Sequence, residues 1–399
     1  MTPHSLLSQV ETRKAARLPL LEKGFRPFFL LGAAFAVTAV PLWLLALHGG
    51  FQPGGAFGAM QWHAHEMLFG FSAAIIAGFL LTAVSNWSGK ETATGWALAA
   101  LVALWTLGRL AMFFGGRLPR LVPTLLDVAF LPALAVTCAL PLVSARSRRN
   151  YGFVGLLLGL SITNGVAHGA ALLGNLSVVQ AAHRVALDVI VVMLVLMTGR
   201  IVPMFTRTAT RLNWVRSIQL LERSAIAAVL LLTIADVWPA ANVLGAPFAA
   251  IAGALLLGRM RFWASLHTIG DPLLWILHMG TLFLPLGLLL RAAASITPLI
   301  PVGSSLHALT VGAIGSLTLG MMARVSLGHT GRMLKAPRGM GISFLCLVIA
   351  ALVRVVAPLL PASEYLGALT IAAVGWSSAF CLFLVRYGAI LLAPRADAR

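Results

Sequence analysis

Charged residues are scarce in this 399-residue sequence. Only 10% of the residues are Asp, Glu, Lys or Arg, whereas 59% are hydrophobic, and the mean hydropathy is +0.93. Acidic residues are the rarest charged type, with 11 Asp and Glu against 29 Lys and Arg. A water-soluble domain of this length covers its surface with charged and polar side chains, so the composition excludes a soluble globular protein.

Cysteine is also scarce. The sequence has 3 cysteines, and all of them lie inside long apolar stretches, at Cys138, Cys346 and Cys381. No two of them have the CxxC spacing of thiolate metal sites or redox motifs. A disulfide framework and a cysteine-ligated metal are therefore not expected, since a buried cysteine behaves as a small apolar residue.

Long apolar runs are what the sequence contains in abundance. A membrane-spanning helix needs about 20 consecutive apolar residues, and the runs here are continuously apolar, which predicts helices and not the alternating strands of a β-barrel. The expected fold class is an all-α integral membrane protein with about twelve transmembrane helices. The twelve runs cover residues 27–47, 64–84, 94–114, 119–143, 151–173, 178–205, 220–238, 246–263, 273–295, 301–326, 340–360 and 364–392.

The runs leave little room for soluble domains. The sequence predicts a cytoplasmic tail over residues 1–26, one transmembrane domain over residues 27–392 and a second cytoplasmic tail over residues 393–399. Residues 1–26 are polar and basic, and no small-residue cleavage site closely follows the first run. We therefore expect no cleaved signal peptide.

The excess of basic residues gives a formal net charge of +18. With both termini in the cytoplasm, the Lys and Arg residues between the runs fall almost entirely in inner segments, and only Arg117 and Arg120 fall in outer loops. This asymmetry is typical of multi-pass membrane proteins, so it predicts a chain embedded in the lipid bilayer with this orientation. No nucleic-acid partner is expected, because topology already accounts for the charge.

Histidines concentrate at one depth of the predicted bundle, near its outer face. Polar groups inside a bilayer are costly unless they are paired, and they tend to mark function. Imidazole is a common ligand of haem iron and copper. The layer therefore predicts a metal or haem site, although a single interfacial histidine is often only a packing residue. Its members are His48, His63, His65, His168, His183 and His307.

The segment QWHAHEMLFGF opens the second run and holds two of these histidines. His63 and His65 are two residues apart, which corresponds to about 200° of rotation around an α-helix. Their rings then point to opposite sides, so either the helix is unwound there or the two histidines serve different sites. Glu66 either orients a ligating imidazole or is solvated.

A weak internal repeat links the sixth and tenth runs. His183 and His307 open them, and each is followed at the same distance by an M-x-[GA]-R-[IV] motif, whose arginine is Arg200 or Arg324. His65 opens the second run in the same way, without the arginine. The steps correspond to four helices each, which suggests three four-helix pseudo-repeats with sites at their interfaces. The two inner-end arginines are interpreted as headgroup anchors.

Several charged residues fall within the outer parts of the runs. Arg109, Arg184 and Arg291 are candidate cofactor-binding residues, because arginine forks suit the propionates of haem. The alternative is direct pairing with aspartates on neighbouring helices, without a cofactor. Asp188 lies a little more than one turn below His183, where it could also supply a proton path.

Four motifs together resemble the NnrS family, which consists of bacterial haem- and copper-containing membrane proteins. They are KGFRPFFLLGA, WHAHEMLFGF, GRIVPMFTR and MMARVSLGHTGR. The resemblance implies haem and copper as cofactors, a place in the bacterial inner membrane, and a role in denitrification and nitrosative-stress tolerance. It implies His63, His65, His183 and His307 as metal-ligand candidates, and the position of His168 in the outer layer adds that residue.

The function expected from these observations is that of a haem- and copper-binding inner-membrane protein involved in nitric oxide metabolism, with no reaction or electron donor assigned. The alternative is a transporter of a metal ion or small molecule with a histidine-lined outer site. Histidines on the second, sixth and tenth of twelve helices are also similar to the catalytic subunit of haem–copper oxidases. That similarity is one of fold only, because the seventh run lacks the histidine pair of that subunit.

Overall fold

The computed structural model describes residues 18–50, 55–238 and 243–397, and within them the chain is helical, with no β-strand. Twelve long helices follow one another, and each coincides with one of the twelve apolar runs, so the all-α membrane fold is confirmed. They are α1 Phe25–Leu47, α2 Ala59–Ser88, α3 Gly95–Phe113, α4 Leu121–Ser144, α5 Arg148–Leu172, α6 Leu176–Thr210, α7 Gln219–Val237, α8 Gly245–Met260, α9 Pro272–Ala294, α10 Val302–Gly328, α11 Met340–Leu359 and α12 Ala362–Leu392.

Ten of these helices in the described residues are long and apolar enough to cross a membrane. The exceptions are α7, which carries the charged residues Glu222, Arg223 and Asp236, and α8, which has 16 residues. A helix of that length spans about 24 Å at 1.5 Å per residue, less than the hydrocarbon core of about 30 Å. The two helices pack against each other, and α8 also packs against α9.

The three helices that open with histidines of the predicted repeat, α2, α6 and α10, lie at the centre of the bundle. Within the most apolar segment of each helix, the buried share is 78% in α2, 72% in α10 and 67% in α6. Among the other candidate spans, only α9 reaches this level, at 67%. The remaining spans are 39% to 44% buried. Polar side chains on α2, α6 and α10 can therefore meet inside the protein and away from lipid, as functional polar groups in membranes do.

Two of these central helices change from α- to π-helix directly after a histidine. In α2 the π segment is Glu66–Ser72, which follows His65, and in α10 it is Ala308–Gly315, which follows His307. A π segment is rare and is frequently found at functional sites. The shared distortion relates α2 to α10, whereas α6 is a continuous α-helix after His183.

Side chains donate hydrogen bonds to backbone carbonyls in the π segment of α2. The Trp105 indole of α3 donates to the Gly70 carbonyl at 3.1 Å, and the Ser72 hydroxyl donates to the Met67 carbonyl at 2.7 Å. The Trp105 contact therefore links the π segment of α2 to α3.

The KGFRPFFLLGA motif closes the bundle at the end opposite the outer layer of six histidines. Arg26, which is only 1% exposed, donates to the carbonyls of Leu391 at 2.9 Å and Ala393 at 2.5 Å. These carbonyls belong to the C-terminal end of α12, which has no intrahelical donors and carries a partial negative charge. The motif thus ties the first helix to the last. Of the predicted N-terminal tail, residues 1–17 lie outside the described residues.

Replacing Arg26 by leucine is expected to destabilise the protein by on the order of 2–3 kcal/mol, because charge-assisted hydrogen bonds to buried carbonyls are lost. Thermal unfolding of the purified protein in detergent measures this change. Lys23→Met is the matched control, since the Lys23–Glu91 pair is 35% and 64% exposed and such surface pairs contribute at most about 1 kcal/mol. Equal shifts of the unfolding midpoint in the two variants would contradict the role of Arg26 in binding the C-terminal carbonyls of α12.

Candidate metal and cofactor sites

Six polar side chains from α2, α3, α4 and α5 form a buried group, which we name the polar cluster. Asp127 of α4 lies at its centre: its Oδ2 accepts hydrogen bonds from His168 Nε2 at 2.9 Å and from Asn164 Nδ2 at 2.8 Å. His65 Nε2 lies 3.2 Å from the same oxygen. The members of the polar cluster are His65, Glu66, Arg109, Asp127, Asn164 and His168.

Both ring nitrogens of His65 face oxygen atoms. Nδ1 lies 3.1 Å from Glu66 Oε1, and Nε2 lies 3.0 Å from Asn164 Oδ1 as well as near Asp127 Oδ2. A neutral imidazole has one N–H, so one nitrogen would present its lone pair to the lone pairs of oxygen. A cation at Nε2, either a proton or a metal ion, removes this conflict, with Glu66 fixing the ring orientation through Nδ1.

Three members of the polar cluster are arranged as a metal-ligand set. Ligand atoms of His65, Asp127 and His168 all lie within 4.8 Å of one another, and all three residues are buried. Imidazole nitrogens with a carboxylate oxygen suit copper, zinc or iron. The sequence predicted both histidines as ligand candidates but did not predict Asp127 as one. The signal that could have found it is the isolated acid inside an apolar run, at the depth of the histidines.

Arg109 is held by carboxylates of the chain. Its Nη1 donates to Glu66 Oε1 at 2.6 Å, and its Nη2 donates to Asp127 Oδ1. The guanidinium passes over Gly70, where an added Cβ would lie 3.1 Å from Arg109 Nη1. This arrangement matches the alternative of direct arginine–carboxylate pairing and leaves Nη1 and Nη2 engaged, so Arg109 orients the polar cluster and is not a free anchor for a propionate.

Arg291 of α9 is engaged in the same way. Its Nη1 donates to Asp188 Oδ1 at 2.9 Å, and its Nη2 donates to Asp236 Oδ2. Of the three predicted cofactor-binding arginines, only Arg184 lacks an ion pair with a described carboxylate. Two buried carboxylates, Glu66 and Asp188, are instead held by Arg109 and Arg291.

A cavity of about 440 Å³ lies on the other side of α2. Residues of α1, α2, α6, α10, α11 and α12 line it, and they include His63, His183 and His307 from the three predicted helices. Its walls are largely apolar, with Leu68, Phe71, Leu187, Ile314 and Trp376 among them. The cavity therefore combines an apolar interior with nitrogen ligands at one depth, as sites for large cofactors do.

His307 and His63 are oriented within this cavity by their neighbours. His307 Nδ1 donates to the Gly303 carbonyl at 2.7 Å, so the neutral ring has the lone pair on Nε2, which is the usual arrangement of a metal-ligating histidine. The His63 ring stacks on the Trp43 indole, with centroids 4.0 Å apart and planes 18° apart. Both imidazoles are thus held before any ligand binds.

His183 stands between the cavity and the polar cluster. It lines the cavity, and its ring centroid is 6.0 Å from that of His65. The residue is 7% exposed, and its Nε2 has no hydrogen-bond partner among the described residues. A buried nitrogen without a partner is costly, and a ligand in either site could satisfy it.

The rotation of α2 separates the two neighbouring histidines. His63 lines the cavity, whereas His65 belongs to the polar cluster. The segment from Ala59 to His65 is a regular α-helix, so the interpretation of two different sites applies and the unwound alternative does not. His48, the remaining histidine of the outer layer, ends α1 at an exposed position and lines neither site.

Two arginines give the cavity a positive charge. Arg354 of α11 is 7% exposed, and its Nη1 has no partner among the described residues. Its polar neighbour is Tyr365 of α12. Arg184 is more exposed and lines the same cavity. None of the described lining residues is acidic, so the cavity suits a ligand that carries negative charge. Arg354 was not among the arginines predicted from the sequence to bind a cofactor.

Comparison with known proteins identifies one family. A family model described as NnrS protein matches residues 19–395, nearly the whole chain. No curated protein among those compared matches the chain.

Proposed function

Because the chain belongs to the NnrS family, we propose that it binds haem and copper in the outer half of its helix bundle and binds nitric oxide or a related small ligand there. Family membership makes it a multi-pass membrane protein of the nitric oxide response. The observation that carries the finer proposal is the pair of adjacent sites on α2, one lined by three histidines and two arginines, the other a histidine–aspartate–histidine set.

The residues of the cavity fit a haem. His307 presents Nε2, His63 and His183 offer further imidazoles, and the apolar walls suit a macrocycle. Arg354 and Arg184 would bind the propionates, since guanidinium groups pair well with carboxylates. Bound haem supplies an iron that binds small diatomic ligands, and the surrounding apolar side chains limit the access of water.

The residues of the polar cluster fit copper. His65, Asp127 and His168 supply two nitrogens and one oxygen, and all three are buried. Arg109 holds Asp127 Oδ1 and leaves Oδ2 to face the imidazoles. Glu66 fixes the His65 ring through Nδ1. These residues orient the ligand atoms before the metal binds, which favours affinity.

The inner membrane is the proposed location, with both termini in the cytoplasm. The support is the concentration of basic residues in the segments at the end of the bundle where Arg26 ties α1 to α12, as in the cytoplasmic segments of other membrane proteins. A reporter that is active only in the cytoplasm, fused at the C-terminus, is expected to be active, and the same reporter inserted in the outer loop near Arg117 is expected to be silent. Activity at both positions would contradict this orientation.

The protein purified from membranes is expected to have a Soret band and to contain copper. His307→Ala should abolish the Soret band and leave copper bound, because His307 lines only the cavity. His278→Ala is the control: His278 is a buried histidine of α9 that is hydrogen-bonded to Thr206 and Ser265, both at 2.8 Å, outside both sites. A wild-type protein without haem and copper would refute the proposal. If the wild type lacks both cofactors and vesicles that contain it take up ions, the alternative function of a membrane transporter is favoured.

A further inference from the structure

Three ionisable side chains meet at the same end of the bundle as the histidines, outside the cavity and the polar cluster. Arg291 near the end of α9 donates through Nη1 to Asp188 Oδ1 of α6 at 2.9 Å and through Nη2 to Asp236 Oδ2 of α7. One guanidinium thus serves two carboxyl groups, a ratio that would leave one negative charge uncompensated if both were ionised. We name this group the Asp188–Arg291–Asp236 triad.

The second oxygen of Asp188 lacks a donor. The Asp188 side chain is 1% exposed, and its Oδ2 has no hydrogen-bond partner among the described residues. The ionisable groups that act on Asp188 from the neighbouring helices are Arg291 of α9 and Asp236 of α7, and the two carboxyl groups are within hydrogen-bonding contact. Two carboxylates this close in a membrane interior repel each other strongly unless a proton lies between them.

We propose that Asp188 and Asp236 share one proton at neutral pH, held in place by Arg291, and that this pair exchanges the proton with water at the outer face. The shared proton gives Asp188 Oδ2 its missing partner and makes the triad electrically neutral. An ordinary aspartate has a pKa of about 3.9 and is ionised at pH 7, so a protonated carboxyl group at that pH is a specific property of this site.

The triad has one end near solvent, and its buried end lies on α6, a helix that also lines the cavity. The side chains of Arg291 and Asp236 are 21% and 11% exposed, whereas that of Asp188 is 1% exposed. Asp236 is also the penultimate residue of α7. Leu187, which precedes Asp188 in α6, lines the cavity. The pair can therefore take up a proton from outer water and hold it on a helix that also lines the cavity. Its role as a proton source for the cavity rests on the proposed function, but the shared proton does not.

Infrared spectroscopy of the full-length protein in lipid nanodiscs tests the proposal. At pH 7 the wild type is expected to have a carbonyl band of a protonated carboxyl group that shifts in D₂O. The band should be lost in Asp188→Asn and in Asp236→Asn. Asp271→Asn is the control and should retain the band, because Asp271 is the N-terminal cap of α9 and accepts from the Leu273 amide at 2.9 Å.

Thermal unfolding provides a second, independent readout. Asparagine resembles a protonated aspartate and can donate to Asp236, so Asp188→Asn should unfold at the wild-type midpoint, whereas Asp188→Ala should unfold at a lower one. The proposal is overturned if the band is absent from the wild type, if it persists in both asparagine variants, or if Asp188→Asn is as unstable as Asp188→Ala. Haem and copper contents of the same samples report separately on the proposed function.

Discussion

His65→Ala is expected to lose copper and keep haem, whereas His63→Ala is expected to lose haem and keep copper, although only one residue separates the two histidines. His65 Nε2 lies beside Asp127 and Asn164 in the polar cluster, and His63 lines the cavity. Loss of a residue that only orients a metal ligand lowers metal affinity by roughly 10- to 100-fold. Removing a ligand itself should lower it at least as much. Metal analysis and the Soret band of the purified variants measure the two losses separately.

The control for these variants is their abundance in the membrane, because either substitution opens a space in the bundle. His63→Phe keeps a ring against Trp43, which His63 stacks on, so it should restore abundance without restoring haem. Loss of both cofactors in both variants, at wild-type abundance, would mean that α2 serves a single site. The asymmetry between the two histidines is therefore the part of the proposal most open to refutation.

The separation of His63 from His65 could be predicted from the sequence because it depends on one helix only. A regular helix turns about 100° per residue, and the residues from Ala59 to His65 follow this rule. The twelve helices could be predicted for a similar reason, since each follows from a local run of apolar residues, and ten of the described helices are long and apolar enough to cross a membrane. The depth of the histidines followed from counting helices.

The partners of each side chain could not be predicted, because they depend on which helices are neighbours in space. Arg109 and Arg291 are engaged by Glu66, Asp127, Asp188 and Asp236 of other helices, and nothing in the spacing of the sequence distinguishes this from pairing with a cofactor. The π segments were missed as well, since their residues are as apolar as those of an ordinary membrane helix.

The contacts of Arg200 and Arg324, the arginines near the inner ends of α6 and α10, could not be predicted from the sequence either. Arg200 donates to Asn150 Oδ1 at 3.0 Å and lies 5.3 Å from the centre of the Phe153 ring. Arg324 lies 4.0 Å from the centre of the Phe205 ring and is 8% exposed. The interpretation of Arg324 as a headgroup anchor is therefore wrong: its guanidinium is buried over an aromatic face, where a cation–π interaction offsets part of its desolvation.

Arg354→Leu is expected to lower haem retention ten- to hundredfold. Losing a charge-assisted hydrogen bond costs about 1.5–3 kcal/mol, and each 1.4 kcal/mol is a factor of ten in affinity. Arg354 is buried and its Nη1 has no partner in the described part of the chain, whereas Arg184 is exposed, so water weakens its pairing. Arg184→Leu should therefore have the smaller effect, and Arg354→Lys should recover part of the loss, since it returns the charge without the fork. Haem content per purified protein measures all three.

Arg354→Leu is also expected to raise the unfolding midpoint of the haem-free protein. A buried guanidinium without a carboxylate is unfavourable while the cavity lacks an anion, and leucine removes that cost and fills apolar space beside Tyr365. A purely structural arginine would give the opposite sign, with stability and haem retention falling together. Unfolding of haem-depleted wild type and variant, measured side by side, distinguishes the two. An arginine that lowers stability without a ligand and raises affinity with one is a binding residue, because its charge is compensated only when the cavity is filled.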